Sequence, residues 1–483
     1  MEPRQPANVY EILKMAARQW PQRPAVYDEL GTVNFKELFE ETEKLRQQLT
    51  ALGLNEGMGM GLKAKNGRAF IVGLFAGIGC GAVVMPMAHQ LKKPEVLEMV
   101  SESGIHVLLD DLSGIPPVFP IEDYIDLPPG KFSFSFTGAD KNNRYAPHVE
   151  NPAFVRFTSG TTGKSKGVVV SHQSVMERIE AANEVLSLGP DDTVIWVLPM
   201  AYHFIVSIVL YIRFGAAIAV VKDFLARNII QIANAHRGTL LYASPVQIKL
   251  LAADAGGELM PSLKKAISTS AGIGYDVCLQ FKKRFGLTVS QAYGIIEIGL
   301  PMINYEKSEE HPDAVGFALP GYSVEILDDD FRPLPVGKVG HLGIFGPGMF
   351  DAYLFPPTPR DAVLKNGYFL TADYASKDKN GLVKIEGRSK SVINISGIKV
   401  FPEEVETVLE TFPGIRLARI ISKPHPLLGQ IIEAELLLHE GAAVSVEEVL
   451  SYCRERLSSF KIPKKLTLVD SLPITKTGKL QRH

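Results

Sequence analysis

The stretch Phe157-Thr158-Ser159-Gly160-Thr161-Thr162-Gly163-Lys164-Ser165-Lys166-Gly167 combines glycines, hydroxyls and two lysines in a pattern suited to an anion. Glycines let the backbone approach a phosphate and turn N–H groups inward, while hydroxyls and ammonium groups add donors and charge. The plain alternative is a polar turn. Gly163-Lys164-Ser165 invites comparison with the P-loop, but that motif requires a glycine where this chain has Thr158. It also requires a helix to start at the lysine, whereas here the β-branched run Val168-Val169-Val170 follows. The loop is therefore expected at the tip of a strand pair, folded over a triphosphate.

Other chemistry-bearing residues lie further along. Thr193 to Leu198 reads as a buried strand that delivers Tyr202-His203 to a strand end, where α/β proteins place their sites. His203 reads either as a rim residue or as a functional group, and the apolar Ile205 and Val206 beside it suit a pocket wall. Ser268-Thr269-Ser270-Ala271-Gly272 and Ser290-Gln291-Ala292-Tyr293-Gly294 are expected to be small-residue turns; Tyr293 suits a stacked base or the core. Glu297 is the one carboxylate in the mostly apolar stretch Gln291 to Ile303, and such a carboxylate needs a partner, for which Mg²⁺ on phosphates is a natural candidate. Asp328-Asp329-Asp330 is read as a hairpin turn and not as a metal site. The ending Leu472-Pro473-Ile474-Thr475-Lys476-Thr477-Gly478-Lys479-Leu480 reads, on its own, as a polar surface tail.

The elements that must position these residues follow an α/β rhythm. With 483 residues and 46% hydrophobic content, the chain can bury a large core in more than one compact unit. Lys+Arg 51 against Asp+Glu 53 leaves a net charge of −2, so no global basic field exists to hold nucleic acid or an anionic membrane. Cys80, Cys278 and Cys453 have no paired spacing, which argues against a disulfide framework or a cysteine zinc site and fits a cytoplasmic protein. Met1 to Pro6 shows no signal pattern. Two apolar runs, Ala69 to Met87 and Phe204 to Val221, are interrupted by glycines or Arg213 and are expected as buried helix-then-strand segments, not membrane spans.

Phe35 to Gly53 carries apolar residues at helical spacing. Val107 to Leu109 and Ala153 to Phe157 read as strands, Asp111 to His148 as loop, and Ser171 as the N-cap of a helix running from about Gln173 to Leu186. Beyond Thr371 the pattern becomes a compact α+β succession, with helices at Pro402 to Thr411 and Val446 to Ser458 and strands between them. The expected organisation is a large multi-layer α/β domain over residues 1–388 and a small mobile α+β domain over residues 389–483.

The cradle, Tyr202-His203, Tyr293-Gly294-Ile295-Ile296-Glu297, Thr371-Ala372-Asp373, Gly387-Arg388 with Ser396-Gly397, and Pro473 to Lys479 occur in one order. In that order they resemble the adenylate-forming superfamily, which comprises acyl-CoA synthetases, firefly luciferases and the adenylation domains of peptide synthetases, over nearly the whole chain. The resemblance implies an enzyme in which a carboxylate attacks the α-phosphate of MgATP, giving acyl-AMP and pyrophosphate, after which a thiol displaces AMP. The acceptor is coenzyme A or, alternatively, the phosphopantetheine of an acyl carrier protein.

By the same resemblance, Thr158, Ser159, Gly160, Thr161, Thr162 and Lys166 hold phosphates, while Ala271, Gly272, Ala292 and Tyr293 receive the nucleotide, with Tyr293 stacked on adenine. Asp373 takes the ribose hydroxyls, Arg388 assists at ribose or phosphate, and Glu297 holds Mg²⁺. Ile205, Val206, Ser270 and Gly294 line the acyl pocket, and His203, counted with Lys479 and Glu297 among the catalytic residues, lines that pocket or gates the thiol's approach. Lys479 bridges the acyl carboxylate and the α-phosphate, Lys390 is the hinge, and Ser396-Gly397 approaches the thiol. The chain departs from the pattern at Ile296, where a threonine hydroxyl is expected, and at Ala372, where glycine is expected, a mild change if the backbone angle there is ordinary. Phe204-Ile205-Val206 lacks the aspartate that amino-acid-activating relatives carry, which points to an apolar aliphatic or aromatic acid without an α-amino group. A catalytically weak or regulatory nucleotide-binding protein is the rival reading.

Overall fold

The glycines of the first apolar run explain its packing. A Cβ at Gly73 would lie 2.6 Å from Leu62 Cδ1, so the helix Arg68–Gly79 lies directly against the strand Gly59–Ala64 and then feeds the strand Val83–Ala88, as expected. A computed structural model describes residues 8–112, 118–127, 130–158, 166–388, 391, 393–395, 398–425, 429–457 and 461–473. Ser159, Gly160, Thr161, Thr162, Lys390, Ser396, Gly397 and Lys479 lie outside the described residues.

By contacts the chain divides into two compact units, residues 1–323 with 344–369, and residues 324–343 with 370–483. Two nine-stranded sheets, counted among the described residues, build the first unit. One runs through a parallel series of Val289–Ile295, Lys265–Ser268, Leu240–Ala243, Thr193–Trp196, Ala217–Val220 and Pro24–Asp28, with helices as crossovers. The other places Ala352–Tyr353, Lys166–Ser171, Pro152–Thr158, Val83–Ala88, Gly59–Ala64 and Val107–Asp110 side by side. Parallel strands covered by helices are apolar on both faces, which is why the burial of Val83–Ala88 is unbroken. The amphipathic helix is observed at Phe35–Ala51, closed by an Asn34/Glu37 capping box. The helix His172–Leu186 begins where Ser171 accepts from the Ser174 N–H.

Two expectations are corrected. Asp111 to His148, read as loop, contains the strands Asp123–Leu127 and Gly130–Phe136, which add to the second sheet beside Val107–Asp110. The alternation Phe132-Ser133-Phe134-Ser135 carries the strand signal, and Phe132 and Phe134 are fully buried, but the prolines and polar residues around it dominate the composition. Ser290 to Gly294, read as a turn, belongs to the strand Val289–Ile295; its small residues fit a buried strand beside Lys265–Ser268.

In the second unit, the helix Pro402–Glu410 and the helix Val446–Arg456 pack with the strands Ile415–His425, Gly429–Leu438 and Leu466–Leu468 around Val405, Leu409, Ile420, Leu436 and Val449. The Asp328 carboxylate accepts from the N–H groups of Asp330 and Arg332, both at 2.9 Å, closing the expected turn between Ser323–Leu327 and Val339–Phe345.

His172 joins two helices of the first unit, because its Nδ1 accepts from the Val9 N–H at 3.2 Å, the first helical residue of Val9–Gln19. Burial lowers its pKa to about 4. Above pH 6.5 both the folded and unfolded states carry neutral imidazole. Between about 6.5 and 4 only the unfolded chain takes up the proton, so stability falls as pH falls and the loss is complete below 4. Urea unfolding of the wild type and His172→Gln at several pH values should show the wild type losing on the order of 2–3 kcal/mol more across that window.

Candidate active site

The strands Pro152–Thr158 and Lys166–Ser171 pair antiparallel, with Thr158 opposite Lys166, so the phosphate-cradle sequence joins the end of a two-stranded ladder as expected. Lys166 Nζ stands 4.7 Å over the ring of Tyr353, which lies on the neighbouring strand Ala352–Tyr353. The Tyr353 hydroxyl donates to the carboxylate of Glu297. Glu297 itself follows the strand Val289–Ile295 of the other sheet, and its carbonyl accepts from Phe350 N–H at 2.7 Å.

Glu297 is held by charge as well as by hydrogen bonds. Burial pushes its carboxyl above the usual carboxylate range, opposed by its own backbone N–H, by Arg156 and Arg178, and by Tyr353. Arg156 donates through Nη1 to the Tyr202 carbonyl at 2.6 Å and lies 5.2 Å from the centre of the Tyr202 ring. Arg178, fully buried, donates Nε to the Gly348 carbonyl at 2.7 Å and Nη1 to the Ile296 carbonyl at 3.0 Å, and burial lowers its pKa to about 10. The Ile296 departure thus keeps a polar role through its backbone while its side chain supplies no hydroxyl. Sequence reasoning missed Arg156, Arg178 and Tyr353. Arg156 was visible as the charged residue in the apolar strand Ala153 to Phe157; the other two carry no local signal.

His203 Nε2 is 3.4 Å from Ser270 Oγ, so the structure brings together two residues that lie 67 positions apart. Asn66 fixes the approach to them: its Nδ2 donates to the Leu198 carbonyl and its Oδ1 accepts from Met200 N–H, both at 2.8 Å. After His203 the chain runs as a π-helix over Phe204–Val209, in which Ile205 is buried and Val206 half-buried. Such wide turns frequently accompany functional sites. Ser270 adopts φ +76°, and Ala271 and Gly272 are exposed beside it, before the helix Tyr275–Phe285. Ala292 is buried and Tyr293 half-buried on Val289–Ile295. A Cβ on Gly294 would fall 2.5 Å from the Gly299 carbonyl oxygen, so close backbone packing by itself requires glycine there.

In the second unit, Asp373 and Arg388 stand opposite each other on the strands Phe369–Lys377 and Val383–Arg388. Arg388 Nε lies 3.1 Å from the Asp373 carboxylate, which is 3% exposed. Ala372 adopts φ +62°, so the angle at this departure is not ordinary, and a Cβ is carried in the left-handed region that favours glycine.

For a divalent cation, no group of three or more His, Cys, Asp or Glu among the described residues forms a cage. Mg²⁺ is commonly held by one or two carboxylates plus substrate phosphates, and the half-buried carboxylate of Glu297 fits that arrangement.

The AMP-binding enzyme family matches residues 13–354, and the AMP-binding enzyme C-terminal domain matches residues 404–479. The chain belongs to the AMP-binding enzyme family. A sulfoacetate–CoA ligase from Cupriavidus necator is 25% identical over 98% of this chain and 96% of its own. The fatty acid–[acyl-carrier-protein] ligase ScoC from Streptomyces coeruleorubidus is 26% identical over 97% of this chain and 93% of its own. The fold matches ATP-bound MatB from Rhodopseudomonas palustris with a TM-score of 0.84, 23% identity, and 98% and 97% of the two chains covered. This member of the AMP-binding family is an ATP-dependent, AMP-forming acid–thiol ligase: it activates a carboxylic acid to acyl-AMP and passes the acyl group to a thiol. Among the described residues, no helix is long and apolar enough to cross a membrane.

Ala372 generates a stability prediction. An L-residue in the left-handed region costs roughly 1–2 kcal/mol, partly offset in glycine by greater unfolded-chain entropy. Ala372→Gly should therefore stabilise the protein by ~0.5–1 kcal/mol in denaturant unfolding, and a destabilised variant would show the Cβ to be tolerated there.

Proposed function

We propose that this ligase acts on an apolar aliphatic or aromatic acid without an α-amino group, with coenzyme A as the principal thiol. The observation that carries the reading is the π-helix Phe204–Val209 beside the His203–Ser270 pair, which offers apolar side chains and one serine but no carboxylate to meet an ammonium group. An acyl carrier protein is the alternative acceptor, a role named for ScoC. The free Cys80, Cys278 and Cys453 support a cytoplasmic location.

In this reading Thr158 to Gly167 grips the leaving phosphates and Glu297 holds Mg²⁺, which supplies charge neutralisation at the phosphates. Tyr293 stacks on adenine, with Ala271, Gly272 and Ala292 beside the nucleotide. The Asp373 carboxylate, which Arg388 faces at 3.1 Å, accepts from the ribose hydroxyls. Lys479 neutralises the charge that builds between the acyl carboxylate and the α-phosphate. Rotation of residues 389–483 about Lys390 then withdraws Lys479 and brings Ser396-Gly397 to the thiol.

AMP release should depend on acid in a panel of fatty, aromatic and dicarboxylic acids, with coenzyme A and a phosphopantetheinylated carrier protein offered side by side. An apolar acid should be preferred, and turnover with α-amino acids alone would overturn the reading. Lys479→Ala should slow adenylation by roughly 10²–10³-fold while leaving transfer from supplied acyl-AMP intact. Equal damage to both half-reactions would contradict the rotation.

A further inference from the structure

Arg156 occupies an unusual place. It stands on Pro152–Thr158, and its guanidinium meets the Tyr202 segment while facing the charge of Glu297. One guanidinium nitrogen, Nη1, holds the carbonyl of Tyr202, the residue before His203. The same cation lies within electrostatic reach of Glu297. Its Nε is cut off from solvent and has no acceptor among the described residues. A donor left this way is costly unless the fixed geometry serves another end.

The alternatives for that geometry are weaker. Arg178 also faces Glu297, yet it is committed to the Ile296 and Gly348 carbonyls and answers to Glu177 and Asp351 as well. Among the described residues Arg156 has no such second carboxylate as an electrostatic partner; Tyr202 is its anchor and Glu297 its counter-charge. A lysine there would preserve charge but not the planar fork that serves two directions at once.

We propose that Arg156 is a positioning residue that couples the two halves of the reaction centre, fixing the Tyr202–His203 segment through the Tyr202 carbonyl and the Glu297 carboxylate through its charge. The inference rests on the reading of Glu297 as the metal-side carboxylate and of His203 as the acyl-side residue. Acid and nucleotide are then held in register by one side chain, and misplacement on either side slows the attack of one on the other.

The test uses the full chain and two variants, Arg156→Met and Arg156→Lys, with three readouts: MgATP affinity by calorimetry, the KM for the acid, and kcat. Arg156→Met should weaken MgATP binding and raise the acid KM together, each by roughly tenfold, the size of one lost charge-assisted interaction. Arg156→Lys should separate the two, with MgATP affinity returning close to wild type and the acid KM staying high, because charge is restored and the fork is not. A residue that merely fills space would lower the melting temperature and leave this split absent. Unchanged MgATP affinity and acid KM in a folded Arg156→Met overturns the proposal, as does an Arg156→Lys variant in which both parameters recover or both stay impaired. If Arg156→Met does not fold, the split in Arg156→Lys decides alone. Glu297→Gln is measured in parallel: wild-type MgATP affinity in that variant defeats the reading of Glu297, whereas a silent Arg156→Met beside a damaged Glu297→Gln defeats only the coupling.

Discussion

A carboxylate drawn largely out of water must be met by charge and donors, and the half-buried Glu297 of the first unit sets that requirement where its two sheets meet. Desolvating an ionised carboxylate costs several kcal/mol in a real protein, more than any single hydrogen bond returns. Four groups answer it: the Tyr353 hydroxyl, the residue's own backbone N–H, and the guanidinium groups of Arg156 and Arg178. They come from different elements, since Tyr353 and Arg156 belong to one sheet, Arg178 to the helix His172–Leu186, and Glu297 to the turn after a strand of the other sheet. Satisfying one charge therefore ties the two sheets together beside the strand pair Pro152–Thr158 and Lys166–Ser171 and the Tyr202–His203 segment.

The His203 segment obeys a milder constraint of the same kind. Asn66, just past the strand Gly59–Ala64, meets the backbone of Leu198 and Met200 in the segment that follows the strand Thr193–Trp196 of the other sheet, so a polar bridge holds the chain that leads to Tyr202 and His203. Ser270 reaches His203 from a third segment at a left-handed angle that costs backbone energy, a feature more often found where function demands it. The AMP-binding family fold supplies the scaffold, while Arg156 and Arg178 supply the positive charge that faces Glu297, and the Ile296 carbonyl anchors Arg178.

Much of this was legible in the sequence because its signals are local. The strand-forming runs in Pro152–Thr158 and Lys166–Ser171, the Ser171 cap, the glycines along Arg68–Gly79 and the aspartate turn at Asp328 each depend on residues a few positions apart, and each element formed where expected. Order along the chain also disclosed the adenylate-forming pattern. What stayed hidden depends on distance or dihedral angle. Composition around Phe132 and Phe134 masked a strand pair whose partners lie upstream, and Ser290 to Gly294 looked like a turn because small residues suit both a bend and a crowded strand. Tyr353 and Arg178 meet Glu297 only through the fold, and nothing in Thr371-Ala372-Asp373 announces that Ala372 must take φ +62°.

The central claim is that these residues assemble a centre for making acyl-AMP from an apolar acid. It is tested most directly by incubating the protein with MgATP and a single apolar acid, omitting every thiol, and analysing the bound fraction by mass spectrometry. The account predicts acyl-AMP retained at close to one per chain, with pyrophosphate released in equal amount. ATP recovered intact with every acid tested, or AMP formed without any acyl conjugate, would contradict it.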